Sequence, residues 1–415
     1  MTSWSPEWRV LINSVEYTGV VLSNLSINSG RTDINVQPIA GFCSIDILNT
    51  DQSAITVEIN DGLTIEVKDS TATYVPIFGG AVSDVAIDVA RAGSTGYTQV
   101  TRVVALGALA RLPKATTLGV LSHDFDGDQI YTILSALLLG TWNDVPAAVT
   151  WAAYDATTTW NQAENNGLGE IDQPGNFELH QRSSSLTDVY SLVAGLASSG
   201  LGYLYEDSSG RISYADSDHR TTYFAANGYT ILSANEAQAV GIKLATRAGD
   251  IKNDVALTYG NNYGSEVTSS DAVSIATYGT LKAIVNTTVR GTTDAQAQAD
   301  RYIALRAYPQ GKLDRITYQL VNPEISDADR DALISIFMGL PVQLDDLPPN
   351  MNDGQFQGFV EGWSFQASFN TLTISVNISP LAFSTVAMKW IDVSASESWN
   401  TLSATMTWDE ATIVA

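Results

Sequence analysis

Over the first 112 residues apolar and polar side chains alternate in short runs, at residues 8–12, 43–47, 63–67, 82–87 and 101–104. A period of two sends successive side chains to opposite faces, so each run predicts a half-buried strand. Turn residues such as Asn60, Asp61 and Gly62 separate the runs, which predicts a small antiparallel barrel or sandwich closed by Pro113.

The period then changes. Ile130, Ile133, Leu134 and Leu137 recur at helical spacing and predict a helix over 128–139, with Asp126 or Asp128 capping its start and Gly140 ending it. Leu186, Val189, Leu192, Val193 and Leu196 make a second stripe up to Gly200, with Ser185 and Asp188 as a capping-box-like start. Residues 203–205 and 211–214 flank a turn at 207–210 and predict a hairpin, whereas 152–176 carries no period and reads as loop. Strands return from Ile242, with 254–259 the clearest. Thr293 and Gln296 form a capping box for a helix running to Arg306 before Pro309, and 326–338 reads as a short helix. Two alternating runs, 359–365 and 371–378, lead to Pro380, which ends the last packed segment. Beyond Phe383 the chain is poor in charge and rich in Ser and Thr, with Trp390, Trp399 and Trp408 spaced nine apart. Nine fits neither a helical face nor an even strand period, so this segment reads as an extended arm.

A chain of 415 residues exceeds what one core normally organises, and 45% hydrophobic residues suffice for real cores. No apolar run is long enough for a membrane span, and the N-terminus lacks the basic and apolar parts of a secretion signal. Cys43 is the single cysteine, which excludes an internal disulfide, and its place in an alternating run makes it a core residue. Acidic residues outnumber basic ones 45 to 21, a net charge of −24 spread along the chain. That balance leaves no basic patch for gripping DNA and favours solubility.

Candidate chemistry is sparse. Only His123, His180 and His219 offer imidazoles, and no Gly-x-Ser-x-Gly elbow accompanies them. The run His123-Asp124-Phe125-Asp126-Gly127-Asp128 comes nearest to a metal loop. An EF-hand would need Gly at its sixth position and Glu at its twelfth; here Gly127 follows Asp126 directly and the twelfth residue from Asp124 is Ser135, so the run reads as a loop and helix cap. His219 reads as a turn residue after a strand. Tyr154, Trp160, Tyr203 and Tyr205 lie in or near loops and leave a sugar-binding surface open beside core or subunit contacts. The expectation is a protein without catalytic, cofactor or metal residues.

Seven short motifs, in order, carry a resemblance. They are Gly30-Arg31-Thr32-Asp33 with Gln37-Pro38-Ile39-Ala40-Gly41 inside 27–49; residues 78–85, FGGAVSDV; residues 105–112, ALGALARL; Tyr203-Leu204-Tyr205-Glu206-Asp207 before Arg211-Ile212; Ile251-Lys252-Asn253-Asp254-Val255; residues 295–300, AQAQAD; and Phe359-Val360-Glu361-Gly362-Trp363. Together they resemble the minor tail proteins of siphoviruses that infect actinobacteria, which are similar to the trimeric baseplate hub of contractile phages. The resemblance implies an α+β, mostly β chain: a tail-tube-like β-barrel domain over 1–112, a smaller α/β insert over 113–240, a second barrel-containing domain over 241–383, and the arm over 384–415. It implies a homotrimer at the distal end of the virion tail, six barrels stacking on a hexameric tube. Its partners would be the distal tail protein or tail-tube ring, the tape-measure protein and other minor tail proteins, with DNA crossing the lumen without specific binding. The alternative is a carbohydrate-binding or cell-wall-degrading tail-tip protein. In the arm, Trp390, Trp399 and Trp408 have few aliphatic partners and are expected to dock in pockets of an adjacent subunit or the next tail-tip protein.

Overall fold

The structure is a computed structural model that describes residues 4–17, 21–49, 55–93, 96–137, 168–236, 242–313, 315–368, 371–386, 388–389 and 413–414. The N-terminal runs form β1 (Trp8–Ile12), β2 (Val15–Glu16), β3 (Val21–Gly30), β4 (Phe42–Asn49), β5 (Gly62–Lys68), β6 (Tyr74–Gly93) and β7 (Gly96–Leu106). Their alternation works as expected: Cys43, Ile45 and Ile47 of β4, and Leu63, Ile65 and Val67 of β5, are all fully buried on one face. After them come α1 (Asp126–Ala136), α2 (Val189–Ser199), a hairpin of β8 (Tyr203–Glu206) and β9 (Ile212–Ala215), α3 (His219–Asn227) and β10 (Thr230–Ser233). The next group is β11 (Asp254–Tyr259), β12 (Ser265–Ser270), α4 (Ala272–Tyr278), β13 (Lys282–Asn286) and α5 (Thr292–Arg306). The last is β14 (Ile316–Gln319), α6 (Asp327–Ile334), β15 (Pro341–Asp345), β16 (Phe356–Ser368) and β17 (Thr371–Pro380). The fold is mostly β.

The first and last β-rich regions share one twelve-stranded sheet, in the order β10-β15-β16-β3-β4-β7-β6-β5-β1-β2, with β17 on β16 and β14 on β17. Among the described strands the pairing follows an open path and no closed barrel is found; in place of the two barrels that the resemblance implies, the described strands form two half-sheets joined edge to edge. The join lies within β16. Residues 356–359 pair with β15, the register shifts between Val360 and Gly362, and residues 362–367 pair with β3. A bulge of this kind lets one strand change partners by bending it. β6 changes partners too: residues 74–81 pair with β5 on one edge and 81–93 with β7 on the other. The β5-side edge of residues 83–93 has no strand beside it among the described residues.

Two cores organise the described residues. One holds the interior of both half-sheets, from Ile12, Ile45 and Ile65 to Tyr318, Phe365 and Ile374. The other joins α1, α2 and β9 to Val255, Leu257, Val289, Ala299 and Ile303, so residues 254–307 pack with the insert and not with the second half-sheet. The β8–β9 hairpin lies between them: Tyr203, Tyr205 and Ala215 face the first core, Leu204, Ile212 and Tyr214 the second.

Helix positions follow the apolar stripes, but several caps differ. Phe125, not Asp126 or Asp128, occupies the N-cap of α1 without a side-chain bond, because Asp126 is turned inward; Gly140 lies outside the described residues. Asp188 alone caps α2, accepting from Ser191 N, while the Ser185 backbone N–H donates to Leu118 O and Leu186 is exposed. Gly291 is the N-cap of α5 with no side-chain bond, so Thr293 and Gln296 form no capping box. Ser326 caps α6 as a serine should, by accepting from Asp329 N. His219 begins α3 instead of lying in a turn. In the arm, Met388–Lys389 pairs in parallel with Ile413–Val414, and the residues between them lie outside the described ones.

At the join Gly30 has φ +80°, and a Cβ there would collide with the Glu361 carbonyl oxygen and come within 2.6 Å of Gly362 Cα. Gly30→Ala is expected to lower unfolding free energy by roughly 2 kcal/mol or more in denaturant titration, from left-handed strain plus overpacking. Gly249→Ala, where a Cβ meets nothing within 4 Å, should leave stability unchanged.

Candidate functional site

The join brings together two of the sequence motifs, Gly30-Arg31 and Glu361-Gly362, around one buried carboxylate. The β16 bulge turns Glu361 inward. Its Oε2 accepts from Arg31 Nε at 2.7 Å and Arg220 Nη2 at 3.0 Å, and its Oε1 from Arg220 Nη1 at 2.7 Å and Ser379 Oγ at 2.5 Å. The three charged side chains are 3–6% exposed. Arg31 Nη1 also donates to Val36 O at 2.9 Å, and Arg220 donates through Nε to the Tyr203 hydroxyl at 3.3 Å and through Nη1 to Ser384 Oγ at 2.9 Å. The Tyr203 ring faces both guanidinium groups, 5.0 Å from Arg31 and 4.7 Å from Arg220. Burial acts to raise Glu361, but Arg220 and Arg31 outweigh it and hold the carboxyl at about 2. Arg220 is raised by the same carboxylate against the opposing effect of burial.

Other motifs are seams of the same kind. Gln37 spans from the first half-sheet to the hairpin, donating to Gly202 O at 2.9 Å and accepting from Leu204 N at 3.1 Å, and the Tyr190 hydroxyl donates to Pro38 O at 2.6 Å. Glu206 at the end of β8 accepts from Gly41 N at 2.8 Å and from Leu109 N, tying three motifs together. Desolvation raises its carboxyl to about 7. Asp126, fully buried, accepts from Asn176 N at 2.9 Å, Phe177 N at 2.8 Å and the Tyr214 hydroxyl; burial raises it to about 6. The His123–Asp128 run is therefore a folding element: Asp126 anchors a loop, and His123 packs edge to face on His180. Asn253 is completely buried and satisfied by Ser274, Gly279 and Leu281.

Reactive groups are engaged in structure. Cys43 is fully buried, and desolvation pushes its thiol far up. His219 Nδ1 lies 2.8 Å from Asp172 Oδ2; burial opposes its protonation, but that contact, with Glu170 and Asp216 behind it, raises it. Glu170, Asp172 and His219 place one ligand atom each within 4.8 Å of one another, a grouping the sequence did not reveal because His219 lies 47 positions after Asp172. Tyr203 and Tyr205 are core residues at 4% and 8% exposure, which removes them from any sugar platform; Tyr154 and Trp160 lie outside the described residues. So do Trp390, Trp399 and Trp408. No helix among the described residues is long and apolar enough to cross a membrane.

Comparison with known proteins places this architecture. No family model and no curated relative matches the sequence. Among solved structures, the tail protein from Neisseria meningitidis MC58 superposes with a TM-score of 0.57 at 11% identity, over 92% of this chain and 98% of the other. The fold is that of phage tail proteins. The 43 kDa tail protein of prophage MuSo2 from Shewanella oneidensis shares it, with a TM-score of 0.52 at 10% identity over 92% and 99% of the two chains.

The buried carboxylates impose opposite pH trends. Glu206 and Asp126, raised above their ordinary 4.5 and 3.8, favour the protonated form in the fold, so their stabilisation is full at low pH and is lost as pH rises through about 7 and about 6, respectively. Glu361, held at about 2, stabilises above its ordinary 4.5 and loses that effect as pH falls toward 2. Denaturant titrations are expected to show stability declining from about pH 5 to about pH 8. Glu206→Gln should remove the part of that decline nearest pH 7, and an unchanged slope would refute the assignment. Glu361→Gln, which strands two buried arginines, should cost about 3–5 kcal/mol at neutral pH.

Proposed function

We propose that the chain is a structural subunit of a phage tail tip, a hub joining the tail tube to the adsorption apparatus and enclosing part of the DNA exit channel. The observation that carries this reading is the tail-protein fold, matched over nearly the whole of this chain and of its structural relatives. Its two half-sheets suit a homotrimer in which three chains occupy six tube-subunit positions on a hexameric ring, with each half-sheet standing where a tube barrel would. Interior placement of the motif residues fits a protein whose work is done by surfaces and not by a reaction centre. An acidic lumen would let DNA pass without adhering, a use for the 24 surplus carboxylates. Neighbours in this reading are the distal tail protein or tube ring, the tape-measure protein and other minor tail proteins.

The open edge of β6 is the surface that fits subunit contact best. Unpaired backbone groups along a strand edge invite a neighbouring strand, and Ile87 and Val89 stand 55% and 59% exposed there. Native mass measurement is expected to give three copies per tail tip, and six would defeat the trimer. Replacing Ile87 and Val89 with Asp should change the melting of the isolated chain little, within about 0.5 kcal/mol, while reducing incorporation into tails. Normal incorporation would remove this edge from the interface. In the arm, Trp390, Trp399 and Trp408 are proposed to dock in pockets of a neighbour; truncation of each to Ala should cost about 2 kcal/mol of binding without altering monomer melting. A variant that melts early yet assembles fully would show that the arm serves its own chain.

A further inference from the structure

Two cavities, of about 370 and 130 Å³, lie against the Glu361 junction, and Arg306 and Phe383 line both. Arg31, Arg220, Arg301 and Arg306 line the larger one, unexpected in a chain of net charge −24. Three of these arginines have partners: Glu361 serves Arg31 and Arg220, and Asp218 accepts from Arg301 at 2.6 Å. Arg306 does not. It ends α5 with 8% exposure, its guanidinium 4.0 Å from the Phe383 ring centroid, and among the described residues it makes no ion pair and its Nη1 no hydrogen bond. Burial lowers it to about 10, so it remains charged at neutral pH. Asp250 lines the smaller cavity and also keeps an unpartnered oxygen, but it forms no ion pair with Arg306.

A buried guanidinium without an acceptor is unfavourable unless an anion completes it. The charge count indicates which anion. Four arginines stand against Glu361, Asp218 and the lining residue Asp216, leaving one positive charge, which a monoanion neutralises and a phosphate dianion would overshoot. A planar carboxylate also fits the guanidinium fork. Apolar walls from Ile34, Leu201 and Leu305, with Ile284 72% exposed, suit the methylene stem of a side chain and a protein surface around it.

We propose that the larger cavity receives the carboxylate of an Asp or Glu side chain from another protein chain of the tail assembly, seated on Arg306 as Glu361 is seated on Arg31 and Arg220. The source of the carboxylate rests on the tail-subunit reading; the chemistry of the cavity does not. In the full-length chain, sodium acetate is expected to raise the melting temperature saturably relative to chloride at equal ionic strength, and Arg306→Met should abolish that shift while melting no lower than the wild type. A larger shift with inorganic phosphate would overturn the carboxylate assignment, and no shift with either would overturn the site. Early melting of Arg306→Met would show that Arg306 is already paired within the chain. In assembly with tail components, the wild type should incorporate and Arg306→Met should fall at least tenfold. Equal incorporation would overturn the protein source, whereas a wild type that binds acetate but never assembles would count against the tail-subunit reading and its carboxylate donor while leaving the anion site standing.

Discussion

Three segments that are far apart in sequence meet on the Glu361 carboxylate, and the rest of the architecture depends on that meeting. Arg31 leaves the end of β3, Arg220 comes from α3 of the insert, and Glu361 stands at the bulge where β16 exchanges β15 for β3. Removing these charges from water is costly, and their attraction does little more than offset that cost. What the arrangement contributes is discrimination. Any register of β16 other than the observed one would strand a carboxylate or a guanidinium in the interior, a far larger penalty than a misplaced apolar side chain carries. The close approach at Gly30 and Gly362 acts in the same direction, since no side chain fits between the two backbones there.

The same logic accounts for which parts of the fold were legible in the sequence. Local periodicity marked the strands around Ile45, Ile65 and Leu257 and the helices carrying Ile130 and Val193, because each pattern reflects one face meeting one core. It could not reveal that β3 pairs with β16, since alternation records that a strand has a buried face and not which strand lies beside it. Nor could it assign residues 254–307 to the insert core, because the apolar faces that pack there look the same wherever they pack. The caps misread at Asp126 and Thr293 show a different limit. An Asp just before a stripe is a capping residue only if its side chain is free to turn back, and Asp126 is instead held by Asn176, Phe177 and Tyr214.

Arg220 was invisible for a related reason. A basic residue in the helix His219–Asn227 has no signature of burial, and its role is set wholly by Glu361, which lies 141 positions further on. The motifs did contain Arg31, Glu361, Glu206 and Gln37, but as family likeness without a physical role. The structure supplies that role: they are the polar joints where half-sheets, hairpin and insert are fastened, each satisfying backbone or charged groups that burial would otherwise leave unpaired.

This division of labour bears on how such a chain works. Carboxylates used inside, at positions 126, 206 and 361, are enclosed and individually partnered, whereas the remaining surplus of negative charge is spread along the chain. Interior polar groups are thus spent on locking the chain into one shape, leaving the surface free to be shaped by its neighbours. On the proposed tail-tip reading, rigidity at the joints and complementarity at the edges are separate requirements. Residues that meet the first are the enclosed charges, because a buried charge tolerates few substitutes. The exposed edge of β6 and the cavity beside Arg306 are the places proposed to meet the second.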